Sequence, residues 1–132
     1  MAAANAAIAV VAKLKASALS VGARVYPQSD TQESVLPVVL VSMLGITGSH
    51  RLSGASSALR ACTVRVDCYA VTEVAAKALG KQVRDALATD GTPWTSTSDG
   101  VQGCFFLDST DDITDDGIRV QQETFSVWHT PT

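Results

Sequence analysis

Five side chains in this 132-residue chain are of types that serve at active sites: the thiols of Cys62, Cys68 and Cys104 and the imidazoles of His50 and His129. Nucleophilic catalysis needs a thiol or hydroxyl within reach of a base. The chain has no G-x-S-x-G turn, and nothing in its order brings either histidine to a serine or cysteine. Cys62 and Cys68 fall six residues apart on one expected strand, which at ~3.3 Å per residue separates them by roughly 20 Å, past disulfide reach. The odd count leaves one cysteine unpaired, and there is no C-x-x-C. Three buried or half-buried free thiols are expected, not a metal site.

Two other stretches have the composition of ion sites. Asp108, Asp111, Asp112, Asp115 and Asp116 are five of the thirteen acids. A calcium loop wants oxygen ligands at alternate positions and a closing bidentate Glu. Here the acids come as adjacent pairs, whose members point to opposite sides, and no Glu follows at the needed place. The expectation is a solvated hairpin tip over 108–117. Gly45 to Ser57, with Arg51, could cradle a phosphate through backbone N–H groups, but it matches neither glycine-rich phosphate motif. It reads as a long loop or as the arms of a long hairpin with its tip near His50-Arg51. No catalytic, cofactor-binding or metal-ligating residue is therefore assigned, and the chain is expected not to be an enzyme.

Apolar residues make up 46% and charged residues 17% of the chain, which fits one globular domain over residues 1–132. The ten basic residues are scattered and the net charge is −3, against a specific nucleic-acid binder, which needs a clustered basic footprint. Residues 2–12 are apolar apart from Asn5, but Lys13 and Lys15 end the run well short of the ~20 residues that span a bilayer. A signal peptide carries its positive charge before the apolar run, not after it. A soluble chain made in the cytoplasm, without membrane contact, is expected.

The elements that must position these residues follow from periodicity. Ala4, Ala7, Ile8, Val11, Leu14 and Ala18 recur at helical spacing over 2–19, and Gly22 ends that helix. Arg24-Val25-Tyr26 is a short extended piece stopped by Pro27, and 28–35 is a polar loop. Pro37 opens a strand whose run Val38 to Leu44 is apolar enough to be covered on both faces. Thr63 to Tyr69 alternates: Val64, Val66 and Cys68 point one way, and Thr63, Arg65, Asp67 and Tyr69 the other. Thr72 caps a helix to Ala88 with a stripe of Val74, Ala75, Ala78, Leu79, Val83, Ala86 and Leu87, and Asp90-Gly91 stops it. Two last strands, 101–109 and 118–129, flank the acidic turn. The class is α+β: two main helices packed on one face of a mixed, mostly antiparallel sheet, with a long β-hairpin.

With no chemistry assigned, the surface carries the function. Tyr69 lies on the outward parity of its strand and Trp128 on a terminal strand, places where aromatics serve either core or interface. His50, Arg51, Arg65, Asp67, Tyr69 and Trp128 are the candidate interface residues.

The order of phrases adds a resemblance. An Ala-rich helix precedes G-x-R-V-Y-P at Gly22 to Pro27. L-P-V-V-L-V follows, then V-R-V-D-C-Y-A at Val64 to Ala70, a helix opening T-E-V-A, and a closing F-S-V-W-H. Over residues 3–129 the chain resembles the tail-completion (tail-terminator) proteins of long-tailed bacteriophages and gene transfer agents. The resemblance implies a virion protein without cofactor that forms a ring homo-oligomer, commonly a hexamer, at the head-proximal end of the tail tube, assembled in the host bacterial cytoplasm. Its implied partners are its own copies, the tail tube protein and a head-tail connector or neck protein, with genome DNA passing through the ring. A ring needs heterologous interfaces. The outward set of 63–69 and the strand 118–129 are expected on one side, and the 45–57 hairpin along the ring axis. The alternatives are another neck, head-completion or baseplate protein, and a small ligand-binding or hydrolytic α+β domain, which would need a pocket with converging polar groups.

Overall fold

The computed structural model describes residues 6–17, 24–27, 36–50, 56–89, 92–96, 98, 100–114 and 116–130, with the backbone alone at 47–50, 56–59, 89, 92 and 93. In chain order the elements are α1 (Ala6–Ala16), β1 (Val25–Pro27), β2 (Val38–His50), β3 (Ser56–Ala70), α2 (Glu73–Leu87), the two-residue strands β4 (Ala88–Thr89) and β5 (Thr92–Pro93), β6 (Val101–Ile113) and β7 (Arg119–His129). Five strands form one sheet in the order β1-β2-β3-β7-β6, and β4 pairs with β5 separately. Only β1 and β2 run parallel, so the sheet is mixed and mostly antiparallel, as expected.

The alternation read in β3 sets the layers. Val64, Val66 and Cys68 turn to the helices, together with Val39 and Val41 of β2 and Phe125 and Val127 of β7. Leu14 and Val10 of α1 and Leu79, Val83 and Leu87 of α2 close this core from above. Both helices lie on that one face. No helix among the described residues is long and apolar enough to cross a membrane.

Local chemistry accounts for α2. Thr72 Oγ1 accepts a hydrogen bond from the Ala75 N–H at 3.2 Å, and Glu73 sits in the first turn and Arg84 in the last, matching the helix dipole. The pairs Lys77–Glu73 and Lys81–Asp85, each 2.9 Å, lie on the wet side. The buried stripe, however, is Ala76, Leu79, Gly80, Val83 and Leu87. The expected Val74, Ala75 and Ala78 face water, with Val74 80% exposed. The small residues Ala76 and Gly80 turn inward because α2 lies close on β7: a Cβ at Gly80 would meet Gln121 Cγ and Glu123 Oε1 at 2.6 Å. Gly80→Ala is thus expected to destabilise, because ~1–3 kcal/mol of overpacking outweighs the ~1 kcal/mol that alanine gains over glycine in a helix. A lower urea midpoint at unchanged slope would show it.

α1 also turns differently from its periodicity. Ala6, Ala9 and Val10 are buried beside Ala7, Val11 and Leu14, while Ile8 is exposed. A segment apolar nearly all round does not specify its own inward face. Ala4 and Ala18, read as part of that stripe, lie outside the described residues.

The Gly/Ser stretch forms arms of a long hairpin. β2 reaches His50 and β3 starts at Ser56, with His50 opposite Ser56. β3 pairs with β7 only from Arg60 on, so the hairpin projects past the sheet. The acidic segment is mostly strand, not turn: β6 runs on to Ile113, carrying Asp108, Asp111 and Asp112 in the ladder. β7 starts at Arg119, and between the two strands Gly117 takes φ +81° and its N–H bonds the Thr114 carbonyl at 2.9 Å.

Candidate assembly surface

The residues with chemical potential do not converge. Cys62, Cys68 and Cys104 are buried free thiols. Burial raises all three above the ordinary thiol range, Cys104 to about 12. His129 is buried at the end of β7, and His50 lies by its backbone out along the projecting hairpin. Asp108 and Asp112 each accept the N–H of the next residue at 2.8 Å, and Asp111 lies 3.9 Å from Lys77. Among the described residues, no three His, Cys, Asp or Glu side chains gather to hold a metal ion. A cleft of about 280 Å³ between α2 and the adjoining ends of β6 and β7 holds Glu73, Lys77, Asp111, Asp112 and Arg119, and in it Lys77 pairs with Glu73 and lies 3.9 Å from Asp111.

One polar cluster is buried under α2. Glu123 is fully enclosed, and its Oε1 accepts from Arg84 Nη1 at 2.8 Å, Ser109 Oγ at 3.0 Å and Gln121 Nε2 at 3.3 Å. Gln121 Nε2 also donates to Ser109 Oγ at 2.6 Å. Three donors on one oxygen do not offset the loss of water around the carboxylate: desolvation raises its pKa against the hydrogen bonds and Arg84.

No described helix covers the other face of the sheet, which carries most of the candidate interface residues. Arg65, Asp67 and Tyr69 of β3 share it with Trp128 of β7, which stands opposite Ala61. Arg65, Tyr69 and Trp128 are half-buried. Asp67 differs from the expectation of a wet residue. It is closed off between Leu40 and Gln122 in register, and Arg65 folds over it, with Nε 2.9 Å from Oδ1 and an Nη2 hydrogen bond to Oδ2 at 3.3 Å. Asp67 thus holds Arg65 in place and offers no surface itself. Its pKa is raised by burial, which outweighs Arg65, and Tyr69 is raised by burial and by Asp67. The side chain of His50 and all of Arg51 lie outside what the structure describes.

Both raised carboxyls bind a proton more readily folded than unfolded. Their contribution to stability is complete below the unfolded carboxylate range, about 4, and is lost as pH rises through the raised folded values. Urea midpoints are therefore expected to rise as pH falls from alkaline toward the unfolded carboxylate range. Glu123→Gln should flatten that slope.

Much of the exposed apolar surface was not read from the sequence. On the open face, Leu36, Val38, Leu40, Tyr69 and Ile118 line a groove of about 240 Å³. Val38 is buried there, so the run after Pro37 is covered on both faces at its start. At its far end that run is bare, against the expectation: Leu44 is 53% exposed, and Ile46 just beyond it 60%. Across the sheet, Phe105, Phe106 and Leu107 are exposed on β6. The signal for them was three consecutive apolar residues, which a strand cannot point to one face.

The family described as "Tail completion protein gp17" matches over residues 8–130. No curated protein sequence matches the chain. Among solved structures, a chain from the virion of a native gene transfer agent particle is similar, with a TM-score of 0.62 and 23% identity. The likeness covers 91% of this chain and 90% of that one, and shows a shared fold.

Proposed function

The chain belongs to the tail completion protein gp17 family of structural phage tail proteins, and on that premise we propose that it forms a ring at the head-proximal end of a tail tube. There it ends tube polymerisation and offers the surface that joins the filled head. The observation that carries the proposal is the family match over nearly the whole chain. The surface agrees with it: the conspicuous features are an open sheet face, bare apolar edges and a projecting hairpin, with reactive groups buried or scattered.

In this reading the partners are copies of the chain in a ring of six, the tail tube protein, and a connector or neck protein. DNA passes through the ring without specific binding, which suits a net charge of −3. Arg65, Tyr69 and Trp128 on the open face meet virion partners, and the hairpin with His50 and Arg51 makes contacts along the ring axis.

The test mixes purified chain with tubes polymerised from the tail tube protein. Negative-stain electron microscopy should show one ring at one end of each tube and an arrest of tube lengthening. Tubes that keep growing with bare ends would refute the proposal.

A further inference from the structure

The two outer strands of the sheet share a property that the ring reading leaves unassigned. β1 covers β2 only at Val39–Val41, so from Ser42 onward no described strand pairs with that edge. On the far side, the described residues bridge β6 only at Val101, through Ser96. Each edge carries exposed apolar side chains and backbone groups outside the ladder, a combination that templates strand pairing; on β6 the N–H groups of Ser109 and Ile113 are already taken by Asp108 and Asp112.

The registers place the two apolar clusters at one height. One rung runs Met43–Val64–Phe125–Phe106 and the next Gly45–Thr63–Ser126–Phe105. Leu44 and Leu107 are each the unpaired residue of a bulge next to the Met43–Phe106 rung. Ile46 follows one rung beyond, level with Cys104. Charge is matched by height as well. Arg24, which donates to the Pro37 carbonyl at 2.9 Å, precedes Val25 and so comes level with Val38, whose rung ends at Asp112. Two β6 edges brought together would oppose Asp108, Asp111 and Asp112 with their own copies, which disfavours self-pairing of that edge.

Strand direction completes the geometry. β2 is antiparallel to β3, β3 to β7 and β7 to β6, so β6 runs opposite to β2. A second copy rotated about an axis along the strands keeps its β2 direction. Its β2 then meets this β6 antiparallel, at the same height, with both helix layers on one side.

We propose that the ring closes head to tail through these edges. β6 around Phe105–Leu107 of one copy docks on β2 around Leu44–Ile46 of the next, and beyond the Leu107 bulge β6 passes outside β1, which brings Asp112 to face Arg24. The contact rests on the ring reading and adds the residues that make it.

The test uses full-length chains on tail tubes. Leu44→Cys and Leu107→Cys are made separately, mixed, and treated with a short bis-maleimide; wild type is the blank, because its three thiols are buried. Both positions are exposed, so folding should be kept, and circular dichroism checks it. The mixture should give a cross-linked dimer, the double variant a ladder, and each variant alone no product above the blank. Ile46→Cys with Phe105→Cys is the second pair. Rings at tube ends without mixed cross-links, or a dimer from either variant alone, would overturn this contact and leave the ring reading standing. Bare tube ends with no cross-link would overturn both.

Discussion

Replacing Arg84 with alanine is expected to cost about 3 kcal/mol near neutral pH, the low end of what breaking a buried ion pair costs. Glu123 is fully enclosed and Arg84 is its only cation among the described residues, at 2.8 Å. The low end applies because one-third of the Arg84 side chain reaches water, where its attraction is screened. The guanidinium also stacks 5.7 Å from the Phe106 ring centre, so the loss includes packing. The carboxylate pKa is already raised, and without Arg84 it rises further. The penalty should therefore shrink as pH falls and Glu123 takes up a proton. Urea denaturation of wild type and variant at about pH 7.5 and about pH 5 reads both effects. A penalty unchanged across that range would mean that Arg84 acts by packing alone. Arg84→Met combined with Glu123→Leu should recover most of the loss, since a buried ion pair is replaceable by apolar side chains of similar volume.

Phe125→Ala is expected to cost about 4 kcal/mol. Phe125 is wholly buried in β7 on the rung between Val64 and Phe106, and meets the Phe106 ring edge-on with centroids 5.8 Å apart. Alanine would leave a cavity in a central strand, where neither flanking strand can close in without breaking the ladder. Phe125→Leu should cost roughly a third as much. Leu107→Ala makes the useful contrast. It lies on the bare β6 edge and should change stability by less than about 0.5 kcal/mol. Any effect of Leu107 on tube-end rings would then be an effect on assembly. Equal stability losses at Phe125 and Leu107 would contradict this division between core and edge.

What the sequence disclosed was local. The β3 alternation is visible because side chains on a strand change face at every residue, and the structure keeps Val64, Val66 and Cys68 inward. The start of α2 is visible because Thr72 caps through an oxygen three residues from the N–H it serves. The two-helix, one-sheet class follows from such signals, and the phrase order pointed to the family that the match over 8–130 shows.

What escaped depended on distant partners. The inward face of α2 was decided by how closely Gly80 approaches β7. Asp67 has outward parity yet is shut, because Leu40 and Gln122 from two other strands flank it. Glu123 is a polar letter in a mixed strand until α2 covers it and supplies Arg84. The acidic segment became strand because β7 pairs with it as far as Ile113.

The sequence by itself determined the main helices and strands, the Thr72 cap and the absence of any recognisable catalytic motif, since these rest on neighbours within a few residues. Only the tertiary structure decided which strands lie at the edges and that their apolar residues stand at the same height. Edge and height are properties of strand order and register, which couple residues more than sixty positions apart, such as Met43 and Phe106, through two intervening strands.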